Sequence, residues 1–373
     1  MQIPYSHPAW IEIDLNQFKK NISAIKSFIK KSKLCMPVKA NAYGHGLVPM
    51  AKAAENSGVD YLAVSCLQEG ILLRQASISL PILVLGAIHE EQIPDLINYN
   101  LEFTIGSKFK ANLVLQQAKK INKICKVHIE VETGMQRTGL RCESAEELIH
   151  DLHESKLIQI VGIYSHMATA DIQNHAFAHK QINLFTDFIK LIRQKMSFNF
   201  CAHLANSGGV CYFPESHLDM VRPGLLALGY FERQQSSELQ NIAPFFSLKA
   251  KVSYFKVVPA EAGISYNHTY TTTQETRIIT VPVGYGDGYR RCLSNKAEIL
   301  VRGNKYKISG NICMDQFMVD IGKNEAFIGE EVVLIGKQDV HEITISEIAK
   351  LCDTITYEVL CGFNERIPRV YLS

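Results

Sequence analysis

The stretch MPVKANAYGHG, residues 36–46, delivers one lysine, Lys39, from an apolar run into a turn of small, polar and glycine residues. A lysine there is either the solvated end of a core strand or an amine presented as a nucleophile. The residues after Lys39 favour chemistry. Asn41, Gly44 and Gly46 suit tight backbone turns, Tyr43 adds a hydroxyl that can reach an oxyanion, and the apolar run from Leu47 reads as a helix opening. Other reactive or charged residues come after apolar runs in the same way: His166 in YSHMATAD, Asn206 and Ser207 in ANSGG, and Arg222 in RPG. Singly, these read better as a satisfied core histidine, an ordinary loop and a surface charge; together, at one face of one barrel, they read as a site.

The elements that would position them alternate. Strand-like runs at 35–39, 62–65, 82–85, 102–105, 127–132, 160–166, 201–205 and 220–222 are separated by periodic, helix-like segments at 49–57, 67–76, 91–99, 109–119, 145–153 and 177–195. Eight strands with crossover helices predict an α/β fold, a closed (β/α)8 TIM-type barrel over 1–243. After residue 241 the texture changes to short alternating strands at 248–258, 277–282, 297–301, 305–309, 317–320 and 331–335, with one helix at 345–352. That predicts a C-terminal mainly-β domain, 244–373, with a boundary in the polar stretch 233–244 and a hairpin turn at Gly303-Asn304.

A barrel puts its active site at the C-terminal ends of its strands and favours phosphate at the loops after the seventh and eighth. Lys39, His166, Asn206, Ser207, Arg222 and Gly224 all fall there. A strand-end lysine with a phosphate cradle suggests pyridoxal 5'-phosphate (PLP) held as a Schiff base, although a lysine-dependent aldolase shares both features. Gly284, Gly286 and Gly288 superficially resemble a dinucleotide loop but lack a surrounding βαβ unit. His175 and His179 have helical spacing without an adjacent acidic ligand, so they read as a solvated helix face and no metal site is expected.

Composition excludes some partners. The chain has 373 residues, 47% of them apolar, and a net charge of +2 without long single-sign runs, so neither nucleic acid nor an anionic membrane is expected. The N-terminal stretch lacks a basic start followed by an apolar core, and no run approaches spanning length, so the expected location is cytoplasmic. Ten scattered cysteines without CxxC spacing, among them Cys35, Cys201 and Cys313 within apolar runs, read as buried free thiols of a reducing compartment.

VKANAYGHG, GMQRTG, YSHMATAD, ANSGG, RPG, SYNHTY, GYGDGY, GNICMDQ and YEVLCGFNERIPRVY together closely resemble the alanine racemases, in order and over nearly the whole chain. The resemblance implies a PLP-dependent isomerase that interconverts L- and D-alanine, supplies D-alanine for peptidoglycan, and works as a homodimer with shared active sites. By the same resemblance Lys39 carries the cofactor, Tyr43, Ser207, Gly224 and Tyr357 hold its phosphate beside Asn206, His166 supports the ring and Arg222 meets the pyridine nitrogen. Lys39 and Tyr266 are the implied bases on opposite faces of the substrate, with Tyr266 and Met314 coming from the partner subunit. Arg137 and the backbone of Met314 hold the substrate carboxylate; Tyr285 and Asp315 stand at the entrance.

Arg222 carries a physical meaning of its own. A guanidinium has no acceptor and keeps its proton, so a pyridine nitrogen facing it must stay unprotonated. The ring is then a weaker electron sink, which disfavours transamination and leaves proton removal and return as the main outcome. A decarboxylase of the same fold would place a carboxylate there. An ordinary phenol has a pKa near 10, about three units too high for a useful base at neutral pH. The implied series Tyr266, His166, Arg222 would lower it by placing donors and positive charge beside the phenolate.

Two positions depart from the family pattern. Glu130 stands where many members carry a carbamylated lysine that orients the substrate arginine, so an encoded carboxylate replaces the adduct and keeps the charge pairing with Arg137. Glutamate is shorter by on the order of 3 to 4 Å, which calls for a water bridge or a shifted arginine. Asn267 stands where glycine is common, and asparagine tolerates a left-handed backbone. The altered pocket edge leaves a broader alanine and serine racemase open, beside the decarboxylase and a non-catalytic cofactor-binding protein.

Overall fold

The computed structural model describes residues 7–172, 175–230 and 237–373. Part of the expected boundary stretch 233–244 therefore lies outside the described residues. Two compact units are present, one made of Gln17–Ala42 and Leu47–Pro244, the other of Met1–Asn16, Tyr43–Gly46 and Phe245–Ser373.

The first strand, β1 (Ala9–Asp14), belongs with the C-terminal segment. The next eight form the barrel: β2 (Lys33–Pro37), β3 (Tyr61–Val64), β4 (Ile82–Val84), β5 (Glu102–Ile105), β6 (Cys125–Glu130), β7 (Ile158–Tyr164), β8 (Cys201–His203) and β9 (Met220–Val221). All pair in parallel in chain order, and β9 closes on β2 through Lys33 opposite Met220 and Leu34 opposite Val221. Strands of a closed parallel sheet are covered on both faces, so β4 and β5 are buried at every position; β4 reads as an unbroken apolar run, while β5 buries Glu102 and Thr104 beside Phe103 and Ile105. The crossover helices show the complementary pattern. Ala176–Lys195 buries Ala178, Gln181, Ile182, Phe185, Phe188, Ile189 and Ile192, a stripe at three- and four-residue spacing.

The other unit is mainly β. Its strands are β10 (Phe246–Lys251), β11 (Tyr254–Val258), β12 (Gly263–Ile264), β13 (Tyr270–Thr271), β14 (Thr276–Val281), β15 (Glu298–Val301), β16 (Asn304–Lys307), β17 (Phe317–Asp320), β18 (Glu331–Gln338), β19 (His341–Ile343) and β20 (Arg369–Leu372). The largest sheet runs β16-β15-β18-β10-β1-β20, with β19 on β18; β11-β14-β17 and β12-β13 form smaller sheets. β1 lies antiparallel to β10 and parallel to β20, which is why the N-terminal segment groups with residues after Pro244 although the sequence assigns everything before residue 244 to the barrel.

Local expectations change at several points. The single strand expected at 248–258 is two strands in different sheets, β10 and β11. The hairpin between β15 and β16 pairs Val301 with Asn304, so its loop residues are Arg302 and Gly303, not Gly303 and Asn304. Both take positive φ, 49° and 72°, as a two-residue loop of this twist requires. All ten cysteines are free, but Cys201 and Cys313 are half-buried; of the three expected inside, Cys35 alone is fully covered.

Candidate active site

Strand β2 stops at Pro37, and Lys39 opens a left-handed turn two residues later. Ala40, Asn41, Ala42 and Tyr43 take φ of 52°, 55°, 51° and 52°. For L-residues each such position costs about 1–2 kcal/mol, so the turn needs outside support. Glu69 supplies part of it: one carboxylate oxygen accepts from Ala40 N at 2.6 Å, the other from Ser65 N at 2.8 Å. Asn41 Oδ1 accepts from Leu47 N at 2.7 Å, and Val38 O from Ala42 N at 2.8 Å. The lysine therefore leaves a fixed backbone, not a mobile loop.

In the mainly-β unit the next residues are equally constrained. A Cβ on Gly44 would meet Leu360 O at 2.1 Å, and one on Gly46 would meet the Tyr371 hydroxyl at 1.9 Å. Arg369 Nε donates to Gly44 O at 3.1 Å and the Tyr371 hydroxyl to His45 O at 3.0 Å. These contacts place the Tyr43 ring 5.9 Å from that of Tyr357, on the helix Thr356–Gly362, which joins two of the residues that the sequence assigns to the phosphate.

At the barrel's C-terminal end, Arg222 comes directly after β9 and is fully covered. Its Nη1 donates to His203 Nδ1 at 2.6 Å and its Nη2 to Ser165 O at 2.8 Å, with His166 Nδ1 3.4 Å from Nη2. His166 lies two residues beyond β7. Burial, then the charges of Arg222, Arg137 and Lys39, holds its imidazole unprotonated down to about 3. With Nδ1 facing a donor-only guanidinium, the ring's proton belongs on Nε2. Gln181, fully buried, fixes this loop by donating to His166 O at 3.0 Å and accepting from Ala168 N at 2.9 Å.

Two short helices begin at the same end. Asn206 caps Ser207–Tyr212, its Oδ1 accepting from Gly209 N at 3.0 Å and its Nδ2 donating to Met167 O at 3.2 Å. Gly224 opens Gly224–Ala227, and Ser207 Oγ accepts from Leu226 N at 3.1 Å, which ties the two helix starts together. The donor set suits PLP: an amine for its carbonyl carbon, hydroxyl and first-turn N–H groups for its phosphate, and a guanidinium for its ring nitrogen.

Glu130 ends β6 and is buried. Burial raises its pKa, opposed by a hydrogen bond from Thr138, the charges of Arg137 and Arg222, and a hydrogen bond from Tyr164. Arg137 is exposed and acts on Glu130 as a charge, while the Thr138 and Tyr164 hydroxyls make the hydrogen bonds. Tyr164 does not stand out in the sequence, yet it is central here. Its ring stacks on His203 at 4.9 Å, Arg222 lies over it at 5.3 Å, and its hydroxyl bonds Thr104 Oγ1 at 2.9 Å. The available signal was alternation: Gly162 and Tyr164 share one face of β7, as His128 and Glu130 share one face of β6.

In the mainly-β unit one hollow is lined by Ser265, Tyr266, Asn267, His268, Cys313, Met314, Asp315 and Gln316. Tyr266 is 69% exposed and Met314 53%. The turn carrying Tyr266 is tightly wound, with Ser265, Asn267 and His268 at φ of 64°, 62° and 46°; Asn267 does occupy the left-handed backbone. Asn311 Nδ2 donates to Tyr266 O at 2.7 Å and Ser265 Oγ to Asn311 O at 2.5 Å. Tyr285 N donates to Cys313 O at 3.1 Å and Gly286 N to Met314 O at 2.8 Å, a contact close enough that a Cβ on Gly284 would fall 2.2 Å from Met314 O. That close packing is what the glycines of GYGDGY serve. Asp315 pairs with Arg366 at 2.7 Å.

A closed parallel barrel with an amine, a guanidinium and two helix starts at one end, followed by a mainly-β unit, defines the class of barrel enzymes that hold PLP on a lysine. Residues 13–232 match the alanine racemase N-terminal domain and residues 245–371 the alanine racemase C-terminal domain. The alanine racemase of Halothermothrix orenii is 38% identical over 368 residues, covering 98% of this chain and 97% of the relative; that of Carboxydothermus hydrogenoformans is 38% identical over 367 residues, covering 98% and 100%. Among solved structures, an alanine racemase of Clostridium difficile superposes with a TM-score of 0.91 at 35% identity, covering 99% of this chain and 96% of that one. The Bacillus anthracis alanine racemase with bound L-Ala-P gives a TM-score of 0.91 at 33% identity, covering 99% and 96%. The chain belongs to the alanine racemase family, whose members are PLP-dependent isomerases.

Proposed function

We propose that this chain interconverts L- and D-alanine by taking a proton from one face of the substrate Cα and returning it on the other. Bound at the barrel, PLP supplies a carbonyl carbon for Lys39 and a conjugated ring that accepts the electron pair left at Cα. The chain's residues do the rest. Lys39 Nζ serves as base on one face and the Tyr266 hydroxyl, from a second copy of the chain, on the other. Tyr43, Asn206, Ser207, Gly224 and Tyr357 bind the phosphate, His166 supports the ring, Arg137 and the Met314 backbone bind the substrate carboxylate, and Tyr285 and Asp315 line the entrance. The observation that carries this reading is Arg222, a fully buried donor-only cation fixed by His203 and Ser165 O beside His166. Such a group keeps a ring nitrogen unprotonated and favours proton return over deeper electron withdrawal.

The homodimer is required by the second base. Tyr266 and Met314 stand out from the same hollow of the mainly-β unit, within the C-terminal domain 244–373, where a second subunit would use them. Among the described residues no helix is long and apolar enough to cross a membrane. Our reading is of a cytoplasmic enzyme that feeds D-alanine to peptidoglycan, supported by membership of the alanine racemase family. Asn267, at φ 62° beside Tyr266, favours a second reading in which serine also enters.

Incubation of the holoenzyme with pure L-alanine should carry its circular dichroism to zero. Gas evolution would mark a decarboxylase, and decay with L-serine at a comparable rate would mark the broader racemase. Glu130 gives a sharper test of substrate binding. Glu130→Ala removes the carboxylate whose charge acts on Arg137 and should raise KM for alanine about threefold, within the roughly 0.2–1 kcal/mol of a charge interaction with an exposed partner, while cofactor affinity stays unchanged. Unaltered kinetics would reject its role.

A further inference from the structure

Behind Arg222, a column of hydrogen-bonded polar side chains crosses the barrel interior. Arg222 Nη1 lies 2.6 Å from His203 Nδ1, His203 Nε2 lies 2.9 Å from His128 Nδ1, and His128 Nε2 lies 2.9 Å from Glu102 Oε2. The four residues are 4%, 0%, 0% and 5% exposed. Space has been made for the column: a Cβ on Gly162 of β7 would fall 2.1 Å from His128 Nδ1, one of the bonded atoms.

The direction of these bonds is forced. A guanidinium can only donate, so His203 Nδ1 must be bare. A neutral imidazole then keeps its proton on Nε2, which donates to His128 Nδ1, and His128 in turn must carry its proton on Nε2, which donates to Glu102. Burial, followed by the charges of Arg222 and His128, drives the pKa of His203 well below its usual value, in keeping with a neutral ring. Every bond points from Arg222 to the carboxylate, and the carboxylate is the one member that can accept without donating. If Glu102 ceased to accept, the proton on His128 Nε2 would be buried without a partner, and the column could shed that cost only by reversing both imidazoles, which would set N–H against N–H at the guanidinium.

We propose that Glu102, acting through His128 and His203, is a positioning residue for Arg222: as terminal acceptor it satisfies the last proton of the series, so that both imidazoles keep the tautomer the guanidinium needs and hold its plane toward the cofactor ring. The inference rests on the reading of Arg222 as the group that meets the pyridine nitrogen. Nη1 is held by His203, and Nη2 by Ser165 O at 2.8 Å and Leu204 O at 3.3 Å, so losing the first leaves the plane anchored through one nitrogen only.

The test is long-range 1H–15N correlation spectroscopy on the histidine-labelled holoenzyme, together with PLP affinity by titration. In the unsubstituted protein His128 and His203 should both be neutral and protonated on Nε2. Glu102→Gln retains an accepting oxygen and should keep both tautomers and an affinity within about threefold. Glu102→Leu removes the acceptor, and it should scramble the His203 tautomer and weaken PLP binding about tenfold, the worth of one hydrogen bond of about 1.4 kcal/mol. The proposal is overturned if either histidine of the unsubstituted protein is protonated on Nδ1 or on both nitrogens. It is equally overturned if the leucine variant keeps the parent tautomers, or changes them without altering affinity. Should the leucine variant not fold, the spectrum of the unsubstituted protein decides alone. Failure of the underlying reading looks different: the unsubstituted protein would not bind PLP or racemise alanine, whatever its tautomers.

Discussion

Lys39→Ala should yield a folded protein without the visible absorbance of bound cofactor and with activity lower by at least about 10³-fold. Two contributions are lost at once, the covalent hold on PLP and the base on one face of Cα, and a positioned base alone is worth about 10²–10⁴. The fold should survive, because Lys39 is only half-buried and the turn beneath it is held by Glu69 and Asn41, neither of which needs the amine. Borohydride treatment of the parent protein followed by peptide mapping should place the modification on Lys39. A label elsewhere, or an alanine variant with a tenth of the parent turnover, would remove the lysine from the mechanism.

Tyr266→Phe deletes one oxygen from a side chain that is 69% exposed, so its thermal unfolding should match the parent's. Turnover should fall by about 10²–10⁴, and the deficit should be one-sided. With Lys39 still present, the α-proton of one enantiomer should go on exchanging with deuterium from solvent while net inversion nearly stops. Equal loss of exchange from both enantiomers would mean that the substitution disturbs the whole site, and undiminished turnover would mean that another group serves the second face.

Barrel strands are enclosed on both sides, which is why eight largely apolar runs were readable along the sequence and why Lys39, His166 and Arg222 stood out where those runs stop. The turn after Lys39 was not readable in the same way. Gly44 and Gly46 signalled tight backbone, but no intrinsic preference places Ala40, Ala42 and Tyr43 at positive φ; the neighbours impose it. The interior column was hidden for a different reason. Glu102, His128 and His203 sit within strands, and their partnership depends on strand pairing across about a hundred residues of chain. The spacing of His128 and Glu130 and the lone Gly162 of β7 were the available hints. The mainly-β unit shows the same limit, since β1 finds β10 and β20 only at the far end of the chain.

The left-handed turn beneath Lys39 also bears on attempts to engineer this protein for durability. Glycine at the exposed Ala40 would relieve an unfavourable backbone without emptying core space, and a search for thermostable variants would reward the exchange. It would also loosen the mount from which the amine is aimed. Selection by heat alone would thus drift toward sturdier, slower enzymes, and a useful screen must score catalysis alongside melting.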